Sequence, residues 1–188
     1  MATRRIVVGM SGASGAAYGV RVLEKLRSAG VETHLVVSRP AEKTLHHETG
    51  LLLKDLKELA SEYHPIEEIG ASIASGSFLT DGMVIAPCSV NTMSAIAHGL
   101  TANLLVRAAD VTLKERRPLV LMVRESPLHL GHLRTMVALA ELGAVIAPPM
   151  PDFYNRPERV ADIVEQGAGR ILDLLGLNDE ATKRWSGI

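Results

Sequence analysis

Arg5-Ile-Val-Val-Gly-Met-Ser-Gly-Ala-Ser-Gly15, read together with the run that continues to Val37, decides the fold. Arg5 to Met10 is a short β-branched run, as expected of a strand, and it stops at the turn-forming Ser11 to Gly15. Beyond that break the period changes. Ala13, Ala16, Ala17, Val20, Leu23 and Leu26 recur at three- and four-residue spacing, with Arg21, Glu24, Lys25 and Ser28 on the opposite face, which predicts an amphipathic helix. Gly30 suits the position just past that helix's end. Val31 to Val37 then reads as a second strand. Strand, helix and strand in this order make a βαβ unit with parallel strands.

The same alternation extends outward. Helical patterns and polar turns fill the chain to about Gly76. Gly82 to Pro87 is wholly apolar, as in a strand covered on both faces. Helices are expected from Ser89 to Ala97 and from Asn103 to Arg117, then a strand from Pro118 to Val123. A helix from about Leu130 to Leu142, a strand from Ala144 to Ala147 and a final helix from Glu158 to Leu175 complete the pattern. Pro148 to Pro157 contains four prolines and must be a shaped loop. The expectation is an α/β protein of one domain, residues 1–188 with a tail from about 176. Its sheet should be doubly wound, parallel and Rossmann-like or flavodoxin-like.

Composition narrows the function. The chain has 188 residues, 47% of them hydrophobic but only 3% aromatic, so its core must be aliphatic. Twenty Lys and Arg against 21 Asp and Glu leave a net charge of −1, without the positive field that nucleic acid or an anionic membrane requires. The single cysteine, Cys88, excludes an intrachain disulfide and fits a reducing compartment. Ile6 to Met10 is too short for a signal segment or a membrane span. A cytoplasmic enzyme is expected.

In doubly wound sheets ligands bind beyond the carboxyl ends of the strands, so residues that follow strands carry the functional reading. Gly12-Ala13-Ser14-Gly15 follows the first strand. It reads either as a cradle in which backbone N–H groups meet a phosphate or as a tight turn, with Ser14 donating to phosphate or capping the helix. It lacks the dinucleotide and P-loop spacings, which favours a mononucleotide. Ser38 ends the second strand as a phosphate contact or a turn former. Ser89, Val90, Asn91 and Thr92 open a helix after the third, as a cofactor loop or an N-cap cluster. Arg124-Glu125 follows the fourth, as a phosphate grip with a neighbouring acid or as an ion pair at the rim. Seven histidines are present, yet neither His46-His47-Glu48 nor His129 and His132 has a metal-site spacing, so no metal site is expected. Cys88 reads as a buried, inert thiol.

Taken together, Gly9-Met-Ser-Gly-Ala-Ser-Gly15, Ala86-Pro-Cys-Ser-Val90, Arg107-Ala-Ala-Asp-Val111, Leu113-Lys-Glu-Arg-Arg-Pro-Leu119, Val123-Arg-Glu125, Gly143-Ala-Val-Ile146 and Phe153-Tyr154 resemble the UbiX/Pad flavin prenyltransferases, in that family's order and over nearly the whole chain. The resemblance implies a Rossmann-like fold, a cytoplasmic location and a homo-oligomer, typically a dodecamer, with active sites at subunit contacts. It implies that FMN is bound by Gly12, Ala13, Ser14, Ser38, Ser89 to Thr92 and Arg124. Dimethylallyl monophosphate would be held by Lys114, Arg124, Tyr154 and Arg170. Glu48 and Glu125 match the family's acid/base carboxylates, and Trp185 an aromatic in its tail. The implied reaction is attack by reduced FMN on the dimethylallyl group with loss of phosphate, bonding N5 and then C6. The product, prenylated FMN, would serve a UbiD-type decarboxylase.

Two departures stand out. Asp152 occupies a loop position where the family commonly has alanine, which adds negative charge near a phosphate site, and Ser126 also replaces a common alanine. Ser126 to Arg134 looks closer to the Pad branch, the small subunits associated with hydroxyaryl acid decarboxylases. Two other readings are open: a flavin-dependent cysteine decarboxylase, and a non-catalytic FMN-binding subunit of an aromatic acid decarboxylase.

Overall fold

A computed structural model describes residues 4–187. The chain runs β1 (Arg5–Met10), α1 (Ala16–Ser28), β2 (Glu32–Val37), α2 (Arg39–Thr49), α3 (Leu53–Leu59) and β3 (Glu62–Tyr63). It continues through β4 (Gly82–Cys88), α4 (Val90–Ala97), α5 (Leu104–Lys114), β5 (Leu119–Val123), α6 (Leu130–Glu141), β6 (Val145–Ile146) and α7 (Val160–Leu174). All six strands form one parallel sheet in the order β3-β2-β1-β4-β5-β6. The chain winds outward in one direction from β1 and then in the other from β4. This is the doubly wound architecture expected from the βαβ pattern.

Strand alternation assigns the two cores. Ile6, Val8 and Met10 of β1 join Val84 and Ala86 of β4 under α1, α2 and α7, where Leu23, Leu26, Leu45 and Ile171 are buried. Val7 joins Met83, Ile85, Leu119 and Leu121 on the opposite face, under α4 and α5. Because successive side chains point to opposite faces, a sheet covered on both sides requires the continuous apolar runs seen in β1, β4 and β5. Each fully buried leucine contributes about 1.5–3 kcal/mol. Gly19 lets α1 lie close to the sheet, since a Cβ there would stand 2.3 Å from the Ala86 carbonyl oxygen.

Several boundaries differ from the sequence expectation. β3, an edge strand of two residues, carries too short a pattern to show a period. Asn103 is the N-cap of α5, its side chain accepting from the Val106 N–H, and α5 ends at Lys114 rather than Arg117. α7 starts at Val160, because Asp162 folds back to accept the Glu158 and Arg159 N–H groups. β6 is trimmed to Val145–Ile146. His129 and His132 stand at the start of α6. His129 is its N-cap, accepting from the His132 N–H, and the two rings stack 3.5 Å apart.

One buried charge ties the last part of the chain to the first helix. Lys25 of α1 is 7% exposed, and its Nζ lies 2.5 Å from Glu165 of α7 and 2.7 Å from Asp179 beyond it. A buried ammonium is tolerable only with such partners.

Candidate functional site

The order of the strands reverses between β1 and β4, and a crevice opens beyond their carboxyl ends, as this topology dictates. Ser11 builds its floor. Its Oγ donates to the Pro87 carbonyl at 3.1 Å and accepts from the Ser89 N–H at 2.7 Å, locking the ends of β1 and β4 together. Sequence reasoning missed Ser11; the available signal was a serine directly after an apolar strand, buried to 1% exposure here. A cavity of about 570 Å³ lies above, lined by Gly12, Ser38, Arg39, Ser89, Asn91, Thr92, Asn103 and Leu105 among others. That size falls within the roughly 300–1,000 Å³ of cavities that bury small ligands and cofactors.

Two helices begin at this cavity. Ser38 caps α2, accepting from the Ala41 N–H, and Ser89 caps α4, accepting from the Thr92 N–H while donating to the Thr92 hydroxyl. Of the two roles that the sequence left open, the structure gives both serines the capping one. The two partly positive helix ends that they cap open on one cavity, an arrangement whose electrostatics favour an anion. Gly12 is required at the mouth, since a Cβ there would stand 2.4 Å from Pro40 Cβ. Ala13 is a buried turn residue whose N–H donates to the Ser11 carbonyl. The Val90 side chain packs against the core, leaving only its backbone for a ligand.

The N-terminus of α1 is occupied differently. Its N-cap is Gly15, not Ser14, and Glu48 from the end of α2 takes the anion's place there. Glu48 Oε2 accepts from the Gly15 N–H at 2.9 Å and from the Ala16 N–H at 2.8 Å. Burial pushes the Glu48 pKa up, but the Ser14 hydroxyl, these two N–H groups and the Arg124 charge outweigh it and hold it below the usual carboxylate value. Arg124 stands at the carboxyl end of β5, its N–H donating to the Cys88 carbonyl at 3.0 Å. Its side chain thus acts on Glu48, whereas the Glu125 carboxylate accepts from the Ser126 N–H at 2.9 Å.

A second cavity of about 340 Å³ gathers Tyr154, Arg170 and Trp185. The Tyr154 and Trp185 rings meet edge to face at 5.3 Å. Asp152 lines the same cavity, and Asp173 holds Arg184 at 2.7 Å and lies 3.5 Å from Arg170. Lys114 belongs to neither group. It is at the end of α5, paired with Glu115, while Arg124 is at the far end of the five-residue β5. At roughly 3.3 Å per residue the strand alone spans about 16 Å. Within one chain Lys114, Arg124 and Arg170 do not meet around a single point.

A parallel doubly wound sheet with a mononucleotide-sized cavity between helix N-termini at its switch point defines a nucleotide-binding α/β protein. Residues 1–179 match the Flavoprotein family. The chain is 57% identical over 183 residues to the flavin prenyltransferase UbiX of Thauera aromatica, covering 97% of this chain and 94% of that one. Its structure superposes on the crystal structure of AnUbiX in complex with FMN and dimethylallyl pyrophosphate with a TM-score of 0.98, at 46% identity and full coverage of both chains. It also superposes on a dodecameric FMN-dependent UbiX-like decarboxylase from Escherichia coli O157:H7 with a TM-score of 0.95, at 47% identity, covering 97% of this chain and 100% of that one. The chain belongs to the UbiX flavin prenyltransferase family of flavoproteins.

Proposed function

We propose that this chain is a flavin prenyltransferase, joining the dimethylallyl group of dimethylallyl monophosphate to N5 and C6 of reduced FMN. The prenylated FMN so formed is the cofactor of UbiD-type decarboxylases. The observation that carries this reading is the near-full-length likeness to UbiX flavin prenyltransferases in a chain whose switch-point cavity suits a flavin mononucleotide.

Reduced FMN supplies the nucleophilic ring. Ser38, Ser89, Asn91 and Thr92 hold it through hydroxyl and amide groups beside the two helix ends, and Gly12 admits it closely. Lys114, Arg124, Arg170 and the Tyr154 hydroxyl surround the departing phosphate and offset its growing charge as the carbon–oxygen bond breaks. Since Lys114 lies at the opposite end of the sheet from Arg124, and Tyr154 and Arg170 line a separate cavity, this requires side chains of neighbouring subunits at each site and hence a homo-oligomer, as in the dodecameric relative. Glu48, ionised at the α1 N-terminus, and Glu125 manage the protons of ring closure. Trp185 and the aliphatic lining keep water from the allylic cation. No described helix is long and apolar enough to cross a membrane, and a buried free Cys88 supports a reducing cytoplasmic location.

Anaerobic incubation with reduced FMN and dimethylallyl monophosphate should raise the mass of the flavin by one C5H8 unit. An unchanged flavin mass with FMN confirmed as bound would instead make the chain a non-catalytic FMN-binding subunit.

A further inference from the structure

At the edge of the sheet, outside the linings of both cavities, three ligand-bearing side chains converge. His34 Nδ1 of β2 lies 2.9 Å from His64 Nε2, and both histidines are buried, at 1% and 5% exposure. Glu62 of β3 reaches the same point from the solvent side. One of its oxygens is 3.5 Å from His34 Nδ1 and the other 3.7 Å from His64 Nε2. We propose that His34, Glu62 and His64 form a binding site for one Zn²⁺ or a similar divalent transition-metal ion, separate from the flavin cavity.

The donor set is two imidazole nitrogens and a carboxylate, an established combination for zinc that leaves a fourth position to water. With metal–ligand bonds of about 2.0–2.1 Å in a tetrahedron, ligand atoms stand roughly 3.3 Å apart. The separations here, two of them to different oxygens of Glu62, straddle that figure, and the exposed Glu62 side chain can turn to bring one oxygen to both nitrogens. Glu62 is 56% exposed on its side chain, which leaves a path for the ion and its water.

The surroundings are built as a metal site requires. Glu32 Oε1 lies 3.0 Å from His34 Nε2, and that carboxylate fixes the proton on Nε2 and turns the Nδ1 lone pair toward His64. Arg5 anchors Glu32 with two bonds, of 2.7 and 2.9 Å, and its guanidinium lies 4.5 Å from the centre of the Phe78 ring. Phe78 in turn meets the His34 ring edge-on at 5.1 Å. Two carboxylates against one guanidinium leave a net negative charge for the cation. A bound ion would clamp the two-residue β3, otherwise a marginal edge, to β2.

The ligands escape a motif search because His34 is remote in sequence from Glu62-Tyr-His64. The legible signal is the pair of i, i+2 acid–histidine spacings, Glu32-Thr-His34 on β2 and Glu62-Tyr-His64 running through β3 and one residue past it.

The test is titration of chelator-stripped protein with ZnCl₂ against a chromophoric competitor, with thermal unfolding followed alongside. One equivalent of zinc per chain and a melting temperature that climbs with zinc concentration are expected. His64→Gln should abolish this binding. Glu62→Gln, on the exposed side and harmless to the core, should weaken it tenfold or more. Glu32→Gln should weaken it about 10- to 100-fold, as the loss of an outer-shell partner does. Flavin absorbance on the same samples, expected to be unchanged in all variants, separates this site from the reading of the cavity. No zinc bound to the parent chain, or equal binding in Glu62→Gln, would overturn the proposal and leave a plain His64-to-His34 hydrogen bond.

Discussion

The Glu48 carboxylate accepts the Ala16 N–H at 2.8 Å, so the helix that follows the first strand is capped by an acid from the end of the next one. The anion position that the glycine-rich turn offers is filled from within the chain. Two other helix ends, at Ser38 and Ser89, open on the first cavity. Glu48→Gln keeps the oxygen and removes the charge, and should destabilise the fold by about 0.5–1 kcal/mol at neutral pH. Because the folded-state pKa of Glu48 is depressed, this contribution is present above the unfolded value and lost as pH falls through the folded one. Urea denaturation should show a gap between variant and parent at pH 7 that narrows as the pH falls below the ordinary carboxylate range. A constant gap would place the effect elsewhere.

Lys114→Ala and Arg170→Ala should impair use of dimethylallyl phosphate while leaving FMN binding nearly intact. Equal loss of flavin from both would show that they hold the flavin instead. Since Lys114 and Arg124 stand at opposite ends of β5, variants at the two positions should complement each other. Co-expressed Lys114→Ala and Arg124→Ala chains, mixing at random in a symmetric assembly, should regain about a quarter of the parent activity. Assays of the mixture against each variant alone would reveal sites contained in a single chain if no recovery occurred.

Gly19→Ala sets two effects against each other. Alanine favours a helix by about 1 kcal/mol over glycine. Its methyl would fall 2.3 Å from the Ala86 carbonyl oxygen and 2.7 Å from Met10 Cε. A backbone carbonyl in a central strand cannot step aside, so overpacking of about 1–3 kcal/mol should win. Thermal unfolding should show a lowered melting temperature. An increase would mean that α1 lifts off the sheet without cost.

Cys88 is fully buried in the core, and burial pushes its thiol pKa up to about 12. The native protein should therefore resist a thiol-specific chromogenic reagent at pH 8 and release one equivalent only when unfolded. Rapid stoichiometric reaction of the native chain would contradict the inert reading.

The fold was legible where pattern and burial agree. The apolar runs of β1, β4 and β5, and the three- and four-residue spacing of α1, follow from a sheet covered on both faces. β3 was not legible, since Glu62 and Tyr63 show no period and pair only because β2 offers an edge. Of the candidate site, Gly12, Ser38, Ser89, Asn91 and Thr92 were found by their position after strands, and they share one cavity. The meeting of Glu48 with the α1 N-terminus was invisible locally, because it depends on how α2 folds back across the turn after β1. The roles of Lys114, Tyr154, Arg170 and Trp185 came from resemblance rather than from any local pattern. The fold gathers the last three and leaves Lys114 apart.

The ammonium of Lys25 has a consequence well beyond its own surroundings. It grips Glu165 and Asp179 at once, so the final stretch that carries Trp185 toward Tyr154 is leashed to a helix of the central scaffold. Neutralising that one nitrogen would slacken the leash and let the aromatic flank of the second cavity swing, a remote handle on the doorway that leaves its own residues untouched.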